Sequence, residues 1–335
     1  MAHRIVVVGY GLAAHRFVTR LLESDADLDV TVYAGDLESP YDRTRLPEVV
    51  AGRVPAAAVI LPALSDPRLH ILHGVRAIAL DRMHRLVHSS DHWVARYDTL
   101  VLATGADPVL PPIRGLRDAE DQTLLPGVHS IHTLDDIRAL TQAAATASRA
   151  VVIGGGATGL RIAEALHTTR TRDPRRLPLH IDLVAQSPSP REITPADAFS
   201  PLHRTGITTH QDTRVRTLEE GPTGALTAAV LSTNHRIPCD LAVLACGTTP
   251  NVALAWTSGL AVARGIVIDD ALRSVTDPHI HALGACTEHR RTLPADPTAT
   301  LTQAEVLADR LSGRDIHRTY LGAGALVTAG TAVAA

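Results

Sequence analysis

Two short stretches constrain this chain more than anything else in it. Residues 4–11, RIVVVGYG, run a β-branched strand straight into glycine, and residues 149–156, RAVVIGGG, do the same. A continuous β-branched run of this kind is the pattern of a parallel strand buried on both faces. Each run is followed by apolar residues at helical spacing, LAAHRFVTRLLES and ATGLRIAEALH. Each then gives way to a second strand pattern, DVTVYAGD and HIDLVAQ. Strand, helix and strand make one βαβ unit, and it occurs twice, roughly 150 residues apart. A chain of 335 residues has room for two cores. The pattern predicts an α/β protein with two doubly wound domains.

The chain between the copies sets how the domains connect. DTLVLATGADPVLPPIRG turns from a strand into Gly and a Pro cluster, which reads as a crossover out of the first domain. CDLAVLACGTTPN, after the second copy, reads as the return. Short strands, GIVIDD and IHALG, and a last helix, TLTQAEVLADRLSG, come after it. The second domain is therefore predicted to be inserted into the first.

The glycines carry the chemistry. In Gly9-x-Gly11-x-x-Ala14 the first glycine permits a tight turn and the second lets the backbone approach a pyrophosphate. The small third residue lets helix pack on strand, and the phosphate meets the helix N-terminus. Asp36, ending the second strand, is placed to take a ribose hydroxyl. Gly154-x-Gly156-x-x-Gly159 repeats the turn, but Gln186 and Ser187 stand where the acid would be, with Arg191 a few residues on. An acid there favours NAD, whereas an Arg favours the 2′-phosphate of NADP. Arg191 tips the reading toward NADPH; read as a plain surface charge, it leaves the choice open. Two dinucleotides in one chain point to hydride transfer from a nicotinamide to a flavin.

Composition excludes other classes. The formal net charge of −3 gives no reason to expect nucleic acid or an anionic membrane as partner. All 32 basic residues are Arg, so no lysine Schiff base or P-loop lysine is available. Cys239, Cys246 and Cys286 form no C-x-x-C pair, a pattern suited to a reducing, cytoplasmic setting. The apolar start reads as a strand and turn rather than a signal peptide, and no run is long enough to span a bilayer. The scattered histidines show no H-E-x-x-H spacing, and no metal site is expected.

These residues resemble the two-dinucleotide-domain flavoprotein reductases of the pyridine nucleotide–disulfide oxidoreductase superfamily. The likeness leans to the nitrite reductase large-subunit, rubredoxin reductase and ferredoxin reductase branch. Gly9, Gly11, Ala14 and Asp36 match its FAD fingerprint. SPYDRTRLPE resembles the loop beside the flavin and brings in Arg43. Thr104 and Gly105 match the Ala-Thr-Gly turn, GVHSIHTLDDIRAL the entry to the inserted domain, and ACGTTPN the return. GIVIDDALRSVTDPHIHALG leads to the last FAD motif at Gly284 and Ala285. The resemblance implies two Rossmann-like domains. One binds FAD over 1–114 and 247–313, one binds NAD(P)H over 115–246, and an apolar tail covers 314–335. The family's C-terminal interface domain is expected to be largely absent.

Two residues depart from it, and a third is a candidate for the chemistry. Ala285 replaces the acid that holds the ribityl chain, at an expected loss of about 1.5–3 kcal/mol. Arg161 stands where the family carries an acid close to the meeting of nicotinamide and flavin. It suits an anionic substrate, stabilises an anionic flavin, disables transfer, or points away on the helix surface. His289 is a candidate proton donor near the flavin ring. The expected function is an FAD-dependent NAD(P)H oxidoreductase serving a small-molecule substrate or an electron-carrier protein, as a homodimer or in a hetero-complex. The rival is a cofactor-impaired homologue acting as a binding or regulatory subunit.

Overall fold

A computed structural model describes residues 2–118, 122–171, 179–186, 206–294 and 296–322. By its contacts the chain divides into two units. The first comprises residues up to 42, 60–107 and those from 249 on; the second comprises 43–59 and 108–248.

The first unit is built on a five-stranded sheet in the order Ile280–Ala282, Thr99–Leu102, His3–Val8, Leu28–Ala34, Leu69–His73. All four pairings are parallel, with Ile5 opposite Val30 and Val6 opposite Leu100. Ile5, Val7, Val30, Val32, Leu100 and Ile280 are completely buried, as strands covered on both faces require. Strand His3–Val8 lies at the centre. The chain leaves it for Leu28–Ala34 on one side and later reaches Thr99–Leu102 on the other. That reversal is a switch point, where a doubly wound sheet opens a crevice at its carboxyl edge. Helix Leu12–Leu22 buries Phe17, Val18 and Leu21 and packs against helix Pro297–Leu311.

Charge locks these two helices. Arg16 reaches Glu305 at 2.5 Å and Arg20 reaches Asp309 at 2.9 Å. Burial pushes the Asp309 carboxyl up, but hydrogen bonds from Arg20 and Arg318 outweigh it and hold the group below the ordinary range. Arg314 and Arg318 tie the segment after the helix to the same Asp309, and Tyr320 is buried in the core. The expected apolar tail over 314–335 therefore begins, through residue 322, as an anchored segment; its remainder, 323–335, lies outside the described residues.

The second unit repeats the design. Its sheet runs Thr208–Gln211, His180–Ala185, Arg149–Ile153, Leu241–Leu244, Val128–Ser130, and every pairing is parallel. The first strand of the repeated motif is again central. Helix Leu134–Thr146 begins with a reciprocal cap between Thr133 and Asp136. The contact boundaries lie at 107/108 and 248/249, against the expected 114/115 and 246/247. The segment 43–59 falls in the second unit instead of the first. Its helix Leu46–Val50 packs on helices Ala157–Thr171 and Leu134–Thr146 and buries Leu46, Pro47 and Val50 there.

Each unit also carries a three-stranded antiparallel sheet that local patterning does not announce. One holds Ala77–Asp81, Leu86–Ser89 and Val94–Arg96, the other Val215–Glu220, Leu226–Leu231 and Arg236–Pro238. Among the described residues, no helix is long and apolar enough to cross a membrane.

Candidate functional site

The first glycine turn sits at the carboxyl end of strand His3–Val8. Gly9 has φ +97°, and a Cβ there would stand 2.3 Å from the Ala103 carbonyl oxygen. No L side chain fits that space or that backbone. Gly11 is the N-cap of helix Leu12–Leu22, and among the described residues no side chain caps it. A Cβ on Gly11 would meet nothing within 4 Å. The helix end thus keeps its amide donors and an open cradle above them, a fit for a pyrophosphate. Ala14, 1% exposed, gives the small contact between helix and strand.

Asp36 lies just beyond strand Leu28–Ala34, with Arg76 Nη2 3.7 Å from its Oδ1. The Arg76 side chain lies over Gly35, where a Cβ would come within 3.2 Å of it. Arg76 is distant in sequence, and no local signal marks it. Thr104 and Gly105 fix the crossover: Thr104 Oγ1 donates to the Asn251 carbonyl at 2.6 Å, and the Asn251 amide donates to the Gly105 carbonyl at 3.0 Å.

The last motif is a single 3-10 turn, Gly284–Cys286, next to the first glycine motif. Gly284 has φ +82°, and a Cβ there would come within 3.2 Å of the Ala13 Cβ. Ala285 is exposed between buried neighbours, so a longer side chain at this position would project out of the turn. Gln303, completely buried, accepts from the Gly284 amide at 2.7 Å. Cys286 is sealed inside, where burial pushes its thiol up.

His289 comes three residues after the turn. It is buried and lies 2.7 Å from Asp270 through Nε2. Arg290 and then His289 hold the Asp270 carboxyl below the usual range, so the ring must donate from Nε2. The Tyr320 ring meets His289 edge-on at 5.0 Å. The candidate proton donor is thus an Asp-oriented imidazole whose Nε2 proton is committed. Arg290 and Arg291 close the next hairpin with φ +47° and +64°, values that usually select Asn or Gly.

The second glycine turn caps strand Arg149–Ile153. Gly154 has φ +129°, and its Cβ would stand 2.1 Å from the Ala245 oxygen; that of Gly159 would stand 1.9 Å from the Gly154 oxygen. Gly156 accepts from the Leu160 amide at 3.0 Å as helix Ala157–Thr171 begins. Strand His180–Ala185 ends at Gln186 with no carboxylate; Arg191 lies outside the described residues.

Arg161 projects from this helix, about half exposed, with Nη2 3.9 Å from Glu48 Oε1. Glu48 also takes Arg45 Nε at 3.2 Å. Arg161 thus has a carboxylate near it from the segment 43–59 of the same unit. Arg43 sits in that segment too, with Nη1 2.8 Å from His132 Nε2.

Known proteins are similar to this chain over most of its length. The nitrite reductase (NADH) large subunit of Escherichia coli K12 is 26% identical over 324 residues, 93% of this chain but 36% of the relative. The chain thus spans about a third of that protein. The nitric oxide reductase FlRd-NAD(+) reductase of Vibrio vulnificus CMCP6 is 29% identical over 332 residues, covering 95% of this chain and 81% of the relative. Among solved structures, the ferredoxin reductase for the CYP199A2 system of Rhodopseudomonas palustris superposes with TM-score 0.82 at 28% identity. The match covers 95% of this chain and 78% of that one. Residues 3–304 match the family model for pyridine nucleotide-disulphide oxidoreductases, and the chain belongs to that family.

Proposed function

We propose that the chain is an FAD-dependent NAD(P)H oxidoreductase. Hydride passes from the nicotinamide to the flavin and electrons pass on to an acceptor, which is the chemistry the two groups supply when bound. The single observation that carries this reading is the pair of glycine turns. Each ends the central strand of its own parallel sheet, and each is closed to any Cβ by a facing backbone oxygen. A chain released from nucleotide binding would be free to fill the cradle at Gly11, and that cradle is open.

The roles come from the units. The first takes FAD, with Gly9, Gly11 and Ala14 at the pyrophosphate and Asp36 on the adenosine ribose. Thr104, Gly105, Gly284 and Ala285 hold the backbone around the rest of the cofactor. The second takes NAD(P)H on Gly154, Gly156 and Gly159. Arg43, which the loop resemblance assigns to the flavin, belongs to the second unit, where it meets His132. Arg161, matched by Glu48, supplies charge at the nicotinamide end, and His289, oriented by Asp270, holds a proton beside the flavin turn. Gln186 offers no carboxylate to a ribose 2′-hydroxyl, which supports NADPH, with Arg191 for its 2′-phosphate.

The acceptor is a small electron-carrier protein or a small molecule. The Vibrio vulnificus and Rhodopseudomonas palustris relatives, named for the carriers they serve, support the first. We place the chain in the cytoplasm, as a homodimer or in a hetero-complex. The test is to load the purified protein with FAD, desalt it and record its visible spectrum. NADH and NADPH oxidation is then compared with an artificial acceptor. A retained flavin band and faster turnover with NADPH support the reading. A folded protein that keeps no flavin and oxidises neither nucleotide overturns it.

A further inference from the structure

We infer that Gln303 is a positioning residue for FAD, locking the Gly284–Thr287 turn that stands in for the missing acid at position 285; the inference rests on the cofactor reading above. Gln303 occupies the inward face of helix Pro297–Leu311, with Ala304, Val306 and Leu307, and is completely buried. A carboxamide in that setting is costly unless its polar atoms are bonded. Both ends are bonded, and both bonds go to one turn. Oε1 accepts from the Gly284 amide at 2.7 Å, and Nε2 donates to Thr287 Oγ1 at 3.0 Å. Thr287 Oγ1 in turn donates to the Gly284 carbonyl at 2.9 Å, closing a ring of bonds across the turn.

Gly284 needs this support. It sits at φ +82° against Ala13, on the first turn of the helix whose N-terminus would take the pyrophosphate. With Ala285 exposed and uncharged, the turn has no carboxylate to offer the cofactor, only its backbone. Backbone donors bind well only when they are held in place beforehand. An apolar residue at 303 would fill the core equally well but leave the Gly284 amide buried and unmatched.

The experiment titrates apo-protein with FAD, read by quenching of flavin fluorescence and by visible circular dichroism of the bound flavin. Wild type, Gln303→Leu, Gln303→Glu and Thr287→Val are compared, with NADPH affinity and melting temperature measured on each. Gln303→Leu is expected to raise the FAD Kd about tenfold or more, at unchanged NADPH affinity. Gln303→Glu keeps the acceptor for the Gly284 amide and is expected to bind within about threefold of wild type. Thr287→Val breaks the same ring with an isosteric side chain. It is expected to weaken FAD about threefold and carries the test if the leucine variant does not fold. Wild-type affinity in both Gln303→Leu and Thr287→Val, or equal losses in the Leu and Glu variants, would overturn the role of Gln303. Failure of wild-type protein to bind FAD would instead overturn the cofactor reading, and this inference with it.

Discussion

At Gly9 an added Cβ would stand 2.3 Å from the Ala103 oxygen, and at Gly154 it would stand 2.1 Å from that of Ala245. Up to this point the two units are alike. They diverge five residues on. The first motif carries Ala14 at its third position, a methyl that the helix–strand contact accommodates while leaving it 1% exposed. The second carries Gly159, whose Cβ would lie 1.9 Å from the Gly154 oxygen. The second helix therefore leaves no room for a methyl at this position. The units differ at the other end of the motif as well, since Asp36 marks the tip of one second strand and Gln186 the other. The same turn is thus packed to two tolerances and read out by two different tips.

The largest effect should come from breaking the tighter turn. Gly159→Ala forces a methyl into a backbone oxygen and should cost the second unit about 3 kcal/mol or more. NADPH binding should vanish while FAD retention persists, as seen by nucleotide titration of the flavin-loaded variant. Ala14→Gly, the reverse change in the first unit, should cost only about 1 kcal/mol.

Acid should separate the units next. His281 in the first unit is buried with its Nδ1 unpartnered, and burial pulls its pKa down to about 4. Its folded value lies below the unfolded one, so the folded state resists protonation. The penalty is absent above about pH 6.5 and grows as pH falls toward 4, reaching about 3 kcal/mol. Melting measured from about pH 8 to 4 should show the first unit losing stability across that window. His281→Leu should flatten the loss.

Smaller effects test the tips. Asp36→Ala should weaken FAD by about one to two decades and leave NADPH binding alone, measured by equilibrium titration. Ala285→Asp should tighten FAD by about tenfold, because the side chain projects from an already fixed turn. Unchanged affinity there would mean that the backbone runs past the cofactor differently.

What the sequence discloses is local. Gly9, Gly11, Gly154 and Gly159 are legible because strand, turn and helix sit within a dozen or so residues of one another, and the repetition of the pattern discloses the duplicated fold. Asp36 is legible as a strand tip. Glu48 beside Arg161, Asp270 behind His289 and Arg76 beside Asp36 are not. Each pair is made by folding, between residues that local spacing does not connect. Gln303 leaves a faint mark, as a polar residue on the apolar register of its helix. The segment 43–59 reads as part of the first domain, yet Leu46 and Val50 find their apolar cover on the helices of the second.

The most direct test of the central claim is an anaerobic titration of FAD-loaded protein with NADPH and then NADH, monitoring the flavin absorption band. NADPH is expected to bleach the flavin stoichiometrically, an effect lost in Gly159→Ala although the flavin remains bound. A bound flavin that neither nucleotide bleaches in the wild type would contradict it.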